Sequence, residues 1–401
     1  MKRIVLHTSF AVAGVVTFFC SAPSFLARQS PNVPDRQQSQ SESSPSPAAK
    51  ETLRKLLEGK KTYRVGYTPA LDRKTVELFG VEIPKDERQR ARKIHAQQER
   101  ALAALGQREE AYLKSHPGAR IEQNSAYMRI IKEVRAQHPR RPLPSKLEGV
   151  AQLLTRFDWG NHVQFNVRDQ GGSCGNCWAF ASIAAFESVM QLQAQVAQLT
   201  ATEAVNGKTV NLPPPPSTSV SFSVQSLINC IRKDKADCQG GGWHGSGFAH
   251  LVEFGVAPVS GFLPKGIPRV SDQYIGNKLP CESKPGVRAI TWDYVNLQHP
   301  DQPPSVQDMK IALMQHGPLA ALVIVDDAFK AYLGGVFNER RTGDGNHAIL
   351  ITGWDDEKKA WRILNSWGEK WGEQGFMWIA WDSNNIGQWA AWVEAPITFP
   401  N

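Results

Sequence analysis

A chain of 401 residues that is 41% hydrophobic and carries 12 tryptophans can bury one large core or two ordinary ones, which excludes wholesale disorder. The net charge of +8 is unevenly placed: residues 28–150 hold 25 Lys and Arg against 15 Asp and Glu, whereas residues 151–401 hold 19 against 23. A basic segment without a nucleic-acid-binding motif, followed by an acidic one, speaks against a nucleic-acid partner and for two parts of one chain that attract each other.

Residues 1–27 read as an export signal. Lys2 and Arg3 precede an apolar run from Ile4 to Cys20, and small residues follow at Ser21, Ala22 and Ala27. A retained anchor over residues 4–20 is the alternative, although the run is near the short limit for a span. The expected location is therefore secreted or periplasmic. Residues 28–50 are rich in Ser, Gln and Pro and read as a disordered linker. A short helix is expected over 51–59, carrying Leu53, Leu56 and Leu57. A long helical pattern covers Lys85–His116, and a second covers Ile121–His138 until "PRRPLP" breaks it. These helices are dense in charge and thin in large apolar residues, so they must lean on something else. Residues 51–150 are accordingly expected to be a helical prosegment, an intramolecular inhibitor removed by a cut around Arg140–Leu153. A permanent accessory domain is the alternative.

The texture changes near residue 151. Trp178–Leu199 reads as one apolar helix with Asn176 placed to cap it. "NLPPPPSTSV" (211–220) is a surface loop, and "CQGGGWHGSG" (238–247) is a glycine cluster. Four strands are expected in the last hundred residues: "LAALVIVD" (319–326), "HAILITGW" (347–354), "AWRILNSW" (360–367) and "GFMWIAW" (375–381). The middle two make a hairpin across "DDEKK".

Apart from Cys20, the cysteines are Cys174, Cys177, Cys230, Cys238 and Cys281. In an oxidising compartment five cysteines give two disulfides and one thiol left over. The pair in "GGSCGNCWAF" has three readings. Zinc requires a second closely spaced pair of ligands, and none is near. A thioredoxin-like redox pair requires a strand leading into it, whereas "NVRDQGGS" ends in a glycine turn. The third reading makes Cys177 a nucleophile at the amino end of an apolar helix, where the helix dipole and free N–H groups favour a thiolate. A thiolate needs a base, and the base needs an orienting group. His347 opens a buried strand, Asn365 lies near the end of the next one, and Trp367 can shield their hydrogen bond. Gln170 can turn a side-chain N–H toward a developing oxyanion.

Residues 153–395 resemble a papain-like cysteine peptidase. The resemblance rests on "RFDWGNHVQFNVRDQGGSCGNCWAF", "SVQSLINC", "DCQGGGWHGSGFAHLVEFGV", "GPLAALVIVDDAFKAYLGGVF", "NHAILITGW" and "NSWGEKWGEQGF", in the family's order. It implies an α+β fold of two domains, a helical left one and a β-barrel-like right one, with the cleft between them. It also implies Cys177 as nucleophile, His347 as base and acid, Asn365 as orienter and Gln170 as oxyanion donor. Cys174 would pair with Cys238 and Cys230 with Cys281. Gly240, Gly241, Gly242 and Trp243 would line a substrate wall, with Ala348 at an apolar subsite and Trp367 beside it. Polypeptide substrates, a monomer, and no metal or organic cofactor follow. An acyl transferase or ligase, in which an amine replaces water, and a catalytically silent binding domain are the rival functions. The chain departs from the family pattern by one extra glycine between Gln170 and Cys174 and by 170 residues between Cys177 and His347.

Overall fold

A computed structural model describes residues 44–122, 126–142, 144, 146–172, 174–192, 195–198, 220–231, 241–260, 270–271, 273–282 and 286–396. The expected signal, most of the expected linker and most of the polyproline loop lie outside the described residues. Among the described residues, no helix is long and apolar enough to cross a membrane.

The Cys177–Leu192 helix is the centre of one half of the structure. Fourteen of its 16 residues are buried, as expected of a helix that is apolar all round. Its one carboxylate, Glu187, is held by two Arg168 nitrogens at 2.9 and 2.7 Å and by the Phe222 amide at 2.7 Å. The His244–Glu253 helix lies against it, so close at Gly247 that a β-carbon there would stand 2.4 Å from Ser182 Oγ. The central helix stops at Leu192, short of the expected Leu199. Gln195–Gln198 instead forms a strand antiparallel to Ala119–Glu122, with Ile121 opposite Val196. A partner strand supplies the backbone hydrogen bonds that the helix would otherwise have provided. The same pairing shortens the expected Ile121–His138 helix to Ala126–Gln137. The long helix runs from Glu87 to Ser115, close to expectation. At the other end of the segment, Pro47–Lys50 are helical rather than linker, because Ser46 caps Pro47–Glu58 through the Ala49 amide at 3.1 Å.

The other half is an eight-stranded sheet. Its order is Val336–Phe337, Phe376–Ala380, Ala360–Leu364, His347–Asp355, Leu319–Val323, Gln388–Glu394 and Thr291–Tyr294, with Arg156–Asp158 paired to His347–Asp355. The expected hairpin forms, with Leu350 opposite Leu364. Two apolar clusters result: one packs the sheet against Trp159, Trp354, Trp367 and Trp371, and the other surrounds the Cys177–Leu192 helix. This is the expected α+β, two-part architecture. Cys230 and Cys281 are bonded as expected. Cys174 is also in a disulfide, while Cys238 lies outside the described residues.

Candidate active site

His347 is the first residue of its strand, paired with Val323, and Asn365 directly follows the neighbouring strand. Antiparallel pairing therefore brings them to the same end of the sheet. His347 Nε2 lies 2.8 Å from Asn365 Oδ1, which also accepts the Ser366 amide at 2.8 Å. Trp367 stands over the imidazole with ring centroids 4.9 Å apart, and all three side chains are buried. The pairing and its tryptophan cover thus lie where the sequence places them.

Cys177 begins the helix on the opposite side and is the free cysteine among the described residues. Burial pushes its thiol pKa up, although the Ala348, Gly80 and Trp178 backbone N–H groups act the other way. Ala348 directly follows His347, so the start of the His347 strand lies beside Cys177 at the junction of the two halves. Gln170 is buried beside the junction, and the extra glycine is taken up in a turn. The chain turns through Gly171 at φ 71°, and the Gly171 amide donates to Asp169 at 2.8 Å. Ser366 Oγ donates to Gln170 Oε1 at 2.7 Å, which aims Gln170 Nε2 inward.

The groove between the halves is filled by the chain itself. Residues 77–83, "ELFGVEI", run along it as a strap that sequence reasoning missed. The Leu78 carbonyl lies 3.0 Å from His347 Nδ1 and 3.4 Å from Gln170 Nε2. Both ring nitrogens thus face oxygens that only accept, Leu78 O at Nδ1 and Asn365 Oδ1 at Nε2, so a neutral ring can donate to only one of them at a time. Gly242 donates to the Gly80 carbonyl and accepts from the Glu82 amide, each at 2.9 Å, in a parallel bridge. Gly241 and Gly242 therefore line the strap, and Gly240 lies outside the described residues. Trp243 is buried behind Gly241 and Gly242, with its indole N–H on Tyr294 Oη at 3.2 Å. Ala348 is buried in the cluster against which Val81 and Ile83 pack. Under the strap, burial lowers the His347 pKa to about 4, against the Asn365 and Leu78 hydrogen bonds. Burial under the strap thus favours the neutral form of both Cys177 and His347.

No cluster of His, Cys, Asp and Glu suited to a metal occurs among the described residues.

Comparison with known proteins agrees with this geometry. Gamete and mating-type specific protein A of Dictyostelium discoideum is 30% identical over 240 residues, covering 58% of this chain and 44% of that protein. Cathepsin J of Mus musculus is 32% identical over 231 residues, covering 55% of this chain and 58% of that protein. The chain thus spans about half the length of these relatives. A crystal structure of the Amb a 11 cysteine protease, a major ragweed pollen allergen, in its proform, superposes with a TM-score of 0.52. It is 19% identical and covers 88% of this chain and 90% of that one, a likeness of fold. The model of the "Papain family cysteine protease" family matches residues 153–397, which hold all eight strands of the sheet and the helix that carries Cys177. The chain belongs to the papain family of cysteine proteases.

Proposed function

We propose that this protein is an exported cysteine endopeptidase, held inactive by its own N-terminal segment until the strap is displaced. The observation that carries the reading is the Leu78 carbonyl on both His347 and Gln170, with Gly80 on Cys177: a peptide backbone lies against all three groups. In the reaction, Cys177 attacks the scissile carbonyl, His347 protonates the leaving amine, and a water activated by His347 releases the acyl-enzyme. Gln170 and the Cys177 amide stabilise the oxyanion. Disulfides in the described residues fit an oxidising compartment outside the cytosol. The direct test is digestion of a peptide library by the cut enzyme, read by mass spectrometry with and without an added amine. Internal cleavage to free acids supports the reading. Amide products in place of acids would favour the transferase, and no turnover would favour a silent domain.

Asn365 acts here by orienting the imidazole, without itself touching the substrate. Misplacing a reacting group by about 1 Å costs on the order of 10²-fold, so Asn365→Ala should lower kcat by about that factor and leave KM nearly unchanged. Steady-state kinetics on the cut enzyme check the split.

Charge supports the docking. Lys61 pairs with Glu339 and Arg73 with Asp169 through two bonds of 2.7 and 2.6 Å, both from the part of the segment that leads into the strap. In each pair the cation lies on the segment, as the uneven charge of the sequence suggests. Burial raises the Glu339 pKa, but the Lys61 and Tyr63 hydrogen bonds outweigh it and hold the carboxyl below its usual 4.5. A carboxyl with a lower pKa when docked favours docking above its free pKa. That contribution fades as pH falls through 4.5 toward the lowered value. The pairs on the rim are each worth about 0–1 kcal/mol and are screened by salt. The uncut chain should therefore become active faster at pH 4 than at pH 7, and faster at high salt. Equal lag times under all these conditions would remove charge from the account.

A further inference from the structure

The segment before residue 155 is not uniform. Up to Glu82 its contacts lie on the cleft and its rim. A two-residue strand, Arg64–Val65, pairs with Tyr332–Gly334, Thr68 Oγ1 donates to the Lys330 carbonyl at 2.6 Å, and the strap fills the groove. A turn with exposed Glu82, Lys85 and Asp86 follows. Tyr63, Ala70 and Leu78, before this turn, join the sheet's apolar cluster at the cleft, and from Glu87 onward the chain leaves the cleft and packs on the body away from it. Ile130, Val134, Val150, Ala151 and Leu154 are fully buried in the same apolar cluster as the sheet. Helices Ala126–Gln137 and Leu147–Leu153 both pack on Val306–His316, and Ala119–Glu122 completes the strand pair with Gln195–Gln198. The indole of Trp354 donates to the Leu154 carbonyl at 3.2 Å, and Gln137 to the Arg156 carbonyl at 2.8 Å. Losing everything up to residue 150 would remove Ile130, Val134 and Val150 and uncover the part of the apolar cluster that they cover.

Glu87 gives the retained part a task at the site. It is 1% exposed at the start of its helix and accepts the Tyr294 hydroxyl at 2.5 Å. Tyr294 Oη in turn accepts the indole N–H of Trp243, the residue after the Gly241–Gly242 wall.

We propose that activation divides the segment at the exposed Glu82–Asp86 turn: the strap leaves, and Glu87–Leu154 stays in the working enzyme, where Glu87 positions the cleft wall through Tyr294 and Trp243. This rests on the blocking role of the strap and moves the activating cut away from Arg140–Leu153. A second nick in the exposed stretch at Arg140–Arg141 is compatible with it, because the buried helices hold the fragment in place. Hydrolysis at the turn adds water across one peptide bond, leaving a carboxylate on the strap and an amine on the retained chain.

The test is to let the full chain activate, isolate the active particle by native gel filtration, and read its components by denaturing mass spectrometry. The expected particle contains residues 87–139, in one piece with the domain or as a bound fragment, and lacks residues 45–82. Activity confined to particles without 87–139 overturns the division. An uncut chain that is already fully active overturns the blocking role instead, and the two failures are distinguishable. In the cut enzyme, Glu87→Ala should raise KM about tenfold at unchanged kcat, and Glu87→Gln, which keeps an acceptor, should restore it. A KM unmoved by Glu87→Ala in a protein of unchanged thermal stability overturns the positioning role.

Discussion

Replacing Cys177 with Ala is expected to reduce peptide turnover by the cut enzyme by about 10⁴-fold or more, the range seen when one member of a nucleophile–base unit is removed. His347→Ala should cost about as much, and the double variant little more, because the two residues act as one unit. Neither variant should unfold the domain. Cys177 sits at a helix start on the border of one apolar cluster and loses only its sulfur in the change to Ala, and His347 opens a strand and belongs to neither cluster. The measurement is kcat/KM with a peptide substrate, paired with thermal unfolding. Turnover by Cys177→Ala within tenfold of the parent would remove the nucleophile assignment.

The second large effect is expected at Gly80. A β-carbon there would lie 1.6 Å from the Gly175 carbonyl oxygen and 2.4 Å from its Cα, both backbone atoms of the loop that holds Cys177. On the other side, Gly241 faces the Gly80 carbonyl so closely that a β-carbon on Gly241 would stand 2.6 Å from it. The strap is wedged between two backbones, and nothing flexible can yield. Gly80→Ala must lift it, breaking the Gly242 hydrogen bonds and withdrawing Leu78 from His347. Overpacking on this scale costs about 3 kcal/mol, which is roughly a hundredfold loss of strap occupancy. The full-length Gly80→Ala chain should then hydrolyse peptide without being cut, while Val81→Ala, which keeps its β-carbon, stays latent. A Gly80→Ala chain as silent as the parent would show that the strap is not what blocks the site.

Much of the site is legible in the sequence because its elements are local. A cysteine before a long apolar run, a histidine opening a strand and an asparagine closing the next one each carry a pattern visible within twenty residues. The hairpin then fixes the histidine–asparagine pair by register alone. The strap is different. "ELFGVEIP" shows an apolar alternation interrupted by glycine, but the reason for that glycine lies at Gly175 and Gly241, far along the chain. The helix that ends at Leu192 shows the same limit: its residues favour continuation until a strand from residues 119–122 offers a better partner. The N-terminal helices look too polar to be stable because their few apolar residues, Ile130 and Val134 among them, are buried against a core supplied by the rest of the chain.

The most direct measurement is alkylation of Cys177 by iodoacetamide, followed by intact and peptide mass spectrometry on the full chain and on the cut enzyme. Cys177 is 0% exposed beneath the strap, so the full chain should resist labelling at neutral pH. After the cut, a single adduct on Cys177 should appear, and activity should fall in step with its formation. Full activity in protein that carries the adduct on Cys177, or equal labelling rates before and after the cut, would contradict the account.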